Sequence, residues 1–297
     1  MRRGDLHLSL AEVAVPAPGN DTRKYLFIGG AHGSGTSLFY KLLGQRDEFS
    51  CFHDTRVVED EGQKLQDVYP TASRLGGPCR YATNDRAFLD AVLPATAAVG
   101  ERLLKQWTPW WNTSRPILAE KSPPDAIHSR WLQAAFRGRS TAFVFILKHP
   151  YSIVLSGSSA WEERCRRTPG DVDLYLENWL RIYGKLEADV AHLRSAFLLR
   201  FETWLSSAEH ARDVFDRLVS ALDGDWPAPQ QRGRRRLYYH GDRSAPIDIR
   251  VPTYAWEPET DAPRLARFEG RVGHFGYSLK GRSLGALPKP LAAVLFE

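Results

Sequence analysis

The sequence contains few cysteines and no pattern of residues that builds a structural metal site. Its 297 residues include three cysteines, Cys51, Cys79 and Cys165, which lie far apart and form no CxxC pair. This spacing gives no even framework for a small disulfide-stabilised fold, and it lacks the ligand spacing of a zinc module. The cysteine content therefore indicates a reducing compartment.

Long apolar runs are missing as well. No stretch approaches the roughly 20 apolar residues that a membrane-spanning helix needs, and the first residues, MRRGDLHLSL, lack the apolar segment of a signal peptide. We therefore expect a cytoplasmic protein without a membrane partner. The net charge of +5 is compatible with binding either a polyanionic nucleotide or nucleic acid. Because no aromatic-interleaved RNA motif accompanies it, a nucleic-acid partner is not expected.

Short apolar segments of strand type alternate with amphipathic segments of helical type. Strands are predicted at 25–28, 116–119, 141–148 and 197–201, and helices at 84–111, 125–136, 171–193 and 208–222, with others starting at Thr36 and Tyr151. Segment 47–70 has no clean period and is predicted as a loop followed by a short helix. The alternation predicts an α/β fold with a central parallel β-sheet flanked by helices. Residues 1–23 are expected to form a loosely ordered arm, and residues 24–297 a single domain.

A glycine-rich turn, Gly29–Gly35, separates the first predicted strand from the first helix. Glycines let a backbone curl around an anion with its N–H groups pointing inward, and the helix N-terminus adds positive potential. The hydroxyl groups of Ser34, Thr36 and Ser37 add further hydrogen-bond donors. A tight strand-to-helix turn also favours glycine and serine, but this density of both indicates an anion-binding loop.

The loop differs from that of the nucleoside-triphosphate P-loop, which reads G-x-x-x-x-G-K-S/T. Gly30 and Gly35 have the required spacing, but Thr36 stands in the place of the lysine. The apolar strand Ala142–Leu147 is followed by Lys148, His149 and Pro150, at the place where such enzymes carry a magnesium-binding aspartate. An ATPase or kinase is therefore disfavoured. The absence of G-x-S-x-G argues against an esterase.

Five further motifs occur in order around this loop. GGAHGSGTS resembles the GGLHRSGTS loop of bacterial sulfotransferases that use 3′-phosphoadenosine 5′-phosphosulfate (PAPS). The segment DEGQKLQ, EKSP at 120–123, LKHPYSIVLS at 147–156, LRFE at 199–202 and the tail FGYSL resemble later motifs of the same family. Together they cover residues 24–280. The resemblance implies the P-loop-like sulfotransferase fold, PAPS as cosubstrate and no metal.

The resemblance also implies an activity and a nucleotide site. The implied reaction is transfer of a sulfuryl group to a hydroxyl, or less favourably an amine, of a small-molecule acceptor such as a secondary metabolite. Residues Gly33, Ser34, Gly35, Thr36 and Ser37 would hold the 5′-phosphosulfate, and Lys148 and Ser156 the 3′-phosphate. Lys148 replaces the usual arginine, so a point charge takes the place of a two-pronged donor. Lys148 as a solvated strand end, and Ser156 as an ordinary helical serine, stay open as alternatives.

Gly33 is the main departure from the family pattern, which has arginine or lysine at this position beside the bond that breaks. Loss of one such charge-stabilising donor costs about 10²–10³ in rate unless another group replaces it. Lys121 of the EKSP motif is the first candidate to replace it, and His32 is the second. A sulfotransferase-like nucleotide-binding protein with lost or changed activity is the alternative function. Oligomeric state, monomer or homodimer, is not determined by the sequence.

The acceptor hydroxyl needs a base, and a carboxylate of suitable pKa can serve. Glu61 is favoured and Glu59 is the next candidate, both in the acidic segment after the first helix, where a solvated helix-capping role is the alternative. Asp54 and His53 lie earlier in that segment. Glu120 is expected to pair with a nearby cation. Three tryptophans, Trp107, Trp110 and Trp111, are interpreted either as core or as the lining of an acceptor pocket.

Overall fold

Five strands make up one sheet at the centre of the computed structural model, which describes residues 21–156, 165, 168–222, 262–281 and 284–296. In these ranges the strands are β1 (Lys24–Gly30), β2 (Phe49–Cys51), β3 (Ile117–Lys121), β4 (Ser140–Leu147) and β5 (Ala196–Arg200). Their order in space is β2-β3-β1-β4-β5. All four neighbouring pairs are parallel, which confirms the predicted α/β class.

Helices pack on both faces of the sheet, as a parallel sheet requires. Alternate residues of β1 and β4 enter two separate cores: Phe27 and Phe145 join one, Ile28 and Val144 the other. The helices are α1 (Thr36–Leu43), α2 (Leu89–Val92), α3 (Ala97–Trp107), α4 (Asp125–Ala135), α5 (Pro150–Ser156), α6 (Pro169–Val190), α7 (Phe201–Trp204), α8 (Ala208–Leu222), α9 (Ala262–Gly273) and α10 (Lys289–Ala292).

The register of the strands brings their carboxyl ends to one edge of the sheet. Ile28 of β1 lies beside Lys121 of β3, and Gly30 lies beside Ile146 of β4. The glycine loop therefore emerges between the last residue of β3 and the residue that follows β4, Lys148. This is the edge at which open α/β sheets bind ligands.

The predicted strands at 25–28, 116–119, 141–148 and 197–201 are confirmed as β1, β3, β4 and β5. The prediction of one long helix over 84–111 is wrong, because Pro94 interrupts it. A residue before proline is pushed out of the helical region, and Leu93 has φ −143° and ψ 116°. The chain forms α2, leaves the helical conformation, and restarts as α3 with the Thr96 side chain as N-cap. The short strand β2 lies in the segment that was predicted as loop and helix.

Cys79 and Cys165 form a disulfide across 86 positions of the sequence, while Cys51 is free. The prediction of a reducing compartment was based on cysteines that form no disulfide framework. Because Cys79 and Cys165 are paired, the cysteines no longer support that prediction. None of the helices in the described ranges is long and apolar enough to cross a membrane. Residues 1–20 of the predicted arm lie outside the described residues. At its end the Asp21 carboxylate is buried and pairs with Arg23 at 2.7 Å.

Candidate functional site

The glycine loop between β1 and α1 has a backbone that its glycines permit. Gly33 and Gly35 have φ 82° and 102°, in the left-handed region that side chains disfavour. A Cβ on Gly35 would lie 2.6 Å from the Phe201 ring, so this position also needs the space. Gly35 is the N-cap of α1 and offers no side chain to its first turn. The N–H groups of that turn are thus left for an external acceptor such as an anion.

Tyr183 of α6 fixes the start of this loop. Its hydroxyl accepts a hydrogen bond from Ala31 N–H at 3.1 Å and donates to the Ile146 carbonyl at 2.7 Å. The Ser34 side chain is fully buried beside this hydroxyl. The Tyr183 hydroxyl therefore connects the start of the loop to β4 through two hydrogen bonds. No sequence pattern indicated this role, because Tyr183 lies 152 positions from Ala31, and the apolar pattern of its helix already accounts for its burial.

Lys121 brings the loop and the acidic segment together. Its ammonium group is fully buried, donates a hydrogen bond to Ser37 Oγ at 3.1 Å, and lies 3.6 Å from Glu61 Oε1. Burial lowers the pKa of Lys121, and the Glu61 carboxylate opposes that shift. A lysine at the end of β3 thus contacts both the first turn of α1 and the carboxylate favoured as base.

Glu61 is buried and held by three side chains. Besides Lys121, Lys64 lies 3.1 Å from Oε2, and Gln63 Nε2 donates to the same oxygen at 2.7 Å. Burial by itself raises the pKa of Glu61, but the charges of Lys121 and Lys64 outweigh it and the pKa is lowered. The group is therefore ionised at neutral pH. It can accept a proton, although with less driving force than a carboxylate whose pKa is raised.

Glu59 is placed differently from Glu61. Its side chain is 44% exposed and lies 3.9 Å from Lys41, and its backbone has φ 60°. Together with Ser37, Tyr40, Lys41 and Asp60 it lines a cavity of about 210 Å³. The two candidate carboxylates therefore face different surroundings: Glu61 the buried lysine, and Glu59 an open cavity.

His32, the second candidate for the missing cation, is poorly suited to carry charge. Removal from water lowers the pKa of His32 to about 4, although the nearby Glu61 carboxylate opposes this. Its ring packs edge-on against Tyr81, with ring centroids 5.3 Å apart. At neutral pH His32 is therefore uncharged. Between the two candidates, the electrostatics favour Lys121.

Lys148 lies on the opposite side of the glycine loop from Lys121. Its side chain is buried, its Nζ is 3.4 Å from the Gly33 carbonyl oxygen, and it stands 4.3 Å above the Phe201 ring centre. This ammonium is thus directed at the loop rather than into solvent, against the alternative of a solvated strand end. Ser156 is the last residue of α5, and its side chain lies outside the described residues.

Glu120 has different partners from those expected. Its Oε1 accepts hydrogen bonds from Gly62 N–H at 2.9 Å and from Ser122 Oγ at 2.6 Å, and its carboxyl faces that of Asp125. It is thus hydrogen-bonded by neutral donors and lies beside a second acid, while the neighbouring Lys121 forms its ion pair with Glu61 and acts on Glu120 through its charge. Because Asp125 lies on the next helix, no local sequence signal marks the contact.

The tryptophans belong mainly to the core. Trp107 and Trp111 are buried. The Trp107 ring stacks with Phe136, and the Trp111 ring stacks with Phe52. The indole of Trp107 donates to the Gly62 carbonyl at 3.0 Å, and that of Trp111 to the Ala119 carbonyl at 2.8 Å. Trp107 thus contacts the segment around Glu61 and Trp111 the strand β3, which favours the core interpretation over a pocket lining.

No model of a protein family matches this chain, and no curated protein matches it. Solved structures do. A sulfotransferase from Mycobacterium avium is 14% identical over 88% of this chain and 79% of its own, with a TM-score of 0.44. One from Mycobacterium tuberculosis H37Rv is 11% identical over 66% and 67%, also with a TM-score of 0.44. The sulfotransferase domain from the curacin biosynthetic pathway is 14% identical over 70% and 75%, with a TM-score of 0.39. These neighbours are sulfotransferases. At such identities the likeness concerns the path of the chain and not the ligand.

Proposed function

We propose that the protein is a PAPS-dependent sulfotransferase that acts on a hydroxyl of a small-molecule acceptor. The observation that carries the proposal is the position of Lys121, whose buried ammonium contacts Ser37 of the glycine loop and the Glu61 carboxylate. A buried cation between an anion-binding turn and a base suits a reaction in which negative charge leaves and a proton is removed. The ordered motifs from the glycine loop to EKSP support the same activity.

The residues of the loop fit a phosphosulfate. The first turn of α1 has no side-chain cap, the Ser37 hydroxyl lies at its start, and Lys121 and Lys148 approach from either side. The Lys121 ammonium supplies positive charge for such a group at this turn without a metal ion. PAPS as donor is thus a proposal supported by this charge arrangement, with Lys148 and Ser156 proposed to hold the 3′-phosphate.

In the proposed reaction the acceptor oxygen forms a bond to sulfur as the bond from sulfur to the bridging phosphate oxygen breaks. Lys121 stabilises the charge that develops on the leaving oxygen, in place of the cation missing at Gly33. The acceptor's proton passes to a carboxylate, for which Glu61 is the candidate nearest Lys121 and Glu59 the alternative. Since Glu61 also neutralises Lys121 in the resting protein, one ion pair serves both roles.

Calorimetry with the desulfo-nucleotide 3′-phosphoadenosine 5′-phosphate (PAP) tests the donor. We expect binding in wild type and weaker binding in Lys148→Met, with the exposed Lys280→Met as a matched control. No heat of binding at millimolar PAP would overturn the proposal. Transfer of radiolabelled sulfate from PAPS to a broad panel of hydroxyl and amine acceptors tests the chemistry.

A second function is favoured by Gly33: a nucleotide-binding protein of the same fold without turnover. The loop has no cationic side chain at position 33, and Glu61 is held in ion pairs with two lysines. PAP binding without transfer to any acceptor in the panel would support this function. Transfer to one acceptor would exclude it.

A further inference from the structure

Two buried carboxyl groups lie under the segment that carries Glu61. Glu120, near the end of β3, and Asp125, the first residue of α4, are both fully buried and close enough to hydrogen-bond to each other. Within the described part of the chain, Glu120 Oε2 meets no donor besides the Asp125 carboxyl. Two carboxylates in contact away from water cannot both be ionised, so a single proton between them is the stable arrangement.

A continuous series of hydrogen bonds leads from this pair to Glu61. Glu120 Oε1 accepts from Gly62 N–H at 2.9 Å and from Ser122 Oγ at 2.6 Å. The Ser122 hydroxyl in turn accepts from Gln63 N–H at 2.9 Å, and Gln63 Nε2 donates to Glu61 Oε2 at 2.7 Å. Both residues that follow Glu61 are thus hydrogen-bonded to Glu120 or to its partner serine.

The contact at Gly62 leaves little freedom. A Cβ at this position would lie 2.4 Å from Glu120 Oε1, so the backbone approaches the carboxyl as closely as glycine allows. On its other side the Gly62 carbonyl accepts from the Trp107 indole at 3.0 Å. A charge change on Glu120 is therefore passed directly to the backbone beside Glu61.

We propose that Glu120 and Asp125 share one proton and act as a positioning pair that holds Glu61 against Lys121. The proposal rests on the proposed function in taking Glu61 as the base. It assigns neither acid a contact with substrate. Their part is to keep the Gly62–Gln63 backbone in the position that aims the Glu61 carboxylate.

The pair is expected to respond to alkaline pH. Burial raises the pKa of both acids, and the neighbouring charge of Glu120 raises that of Asp125 further. The fold thus favours the protonated form of the pair. The contribution of this form to the stability of the fold is lost as the pH rises through the raised pKa. Loss of the proton puts two like charges in contact beneath Gly62. The titratable groups that face the pair are Lys121, Glu61, Tyr40, Tyr69 and Tyr81.

The test compares wild type with Asp125→Asn, whose amide donates to Glu120 at every pH. The first readout is the NMR resonance of the Trp107 indole N–H, assigned among the nine tryptophans by Trp107→Phe. We expect it to titrate at alkaline pH in wild type and in the exposed control Asp213→Asn, and to stay constant in Asp125→Asn. An alkaline titration in Asp125→Asn that matches wild type would overturn the shared proton.

The second readout is the pH profile of sulfate transfer. We expect kcat to fall at alkaline pH in wild type and to persist to higher pH in Asp125→Asn. Asp125→Leu, which leaves Glu120 without a partner, is expected to lower kcat roughly 10- to 100-fold at neutral pH with a smaller change in donor KM. A folded Asp125→Leu variant with the kcat of wild type would contradict the positioning role. If that variant does not fold, the pH profile of Asp125→Asn tests the role instead, and a profile identical to that of wild type would contradict it. The indole titration needs no turnover, so it separates failure of this inference from failure of the proposed function.

Discussion

Replacing Lys121 by methionine is the sharpest test of the site, because its ammonium contacts both Ser37 and Glu61. At 3.6 Å and an effective dielectric constant of about 20, the attraction between Lys121 and Glu61 is about 4–5 kcal/mol before the cost of burial. Breaking a buried pair costs about 3–5 kcal/mol, since one charge stays behind uncompensated. Because Lys64 still lies 3.1 Å from Glu61, we expect a loss near the lower end of that range.

The effect on transfer is expected to be larger than the effect on nucleotide binding. Removing one donor that stabilises transition-state charge costs about 10²–10³ in kcat. The pKa of Glu61 is lowered by Lys121 in the wild type, so it rises in Lys121→Met. The base must be deprotonated to act, and the acidic limb of the pH–rate profile therefore moves to higher pH. The stability from this pair is present above the ordinary glutamate pKa and lost as the pH falls through the lowered pKa of Glu61.

The matched control is Lys64→Met, which removes the other lysine beside Glu61 but does not touch Ser37. Its side chain is 27% exposed, so solvent replaces much of what is lost. Adding Glu61→Gln to Lys121→Met is expected to recover stability in denaturant titrations without recovering the rate. A Lys121→Met variant that transfers sulfate as fast as Lys64→Met would refute the reasoning.

Three further outcomes follow from single features of the structure. Gly33→Arg and Gly33→Ala are expected to destabilise the fold equally, by about 1–2 kcal/mol, because φ is 82° there; denaturant titration measures this, and wild-type stability would contradict it. The Lys148 ammonium lies over the Phe201 ring, and Lys148→Met is expected to weaken PAP binding about 10- to 100-fold. An unchanged Kd in calorimetry would show that Lys148 is not part of the nucleotide site. Replacing Cys79 and Cys165 by serine is expected to cost about 2–5 kcal/mol in thermal or chemical unfolding, whereas equal stability of the oxidised wild type and the variant would show that the bridge contributes nothing.

Local pattern in the sequence was enough to predict four of the five strands of the sheet, all but β2, and the glycine loop. Thr141–Leu147 is apolar on both faces, and a strand buried on both faces has few alternatives. The glycines of the loop likewise report a backbone requirement that no other residue meets without strain. These features depend on residues adjacent in the chain, where propensity and steric restriction act directly. The break at Pro94 is local too, and was readable from the same rules.

The tertiary structure decided which of the candidate side chains meet. Lys121 and Glu61 are 60 positions apart, and their contact depends on how the acidic segment folds back over β3. Burial then gives each group a chemistry that its residue type does not show: it lowers the pKa of His32 to about 4, and it raises the pKa values of Glu120 and Asp125. The bridge between Cys79 and Cys165 is of the same kind. Contacts between distant segments and the removal of water are properties of the packed chain, so no local pattern specifies them.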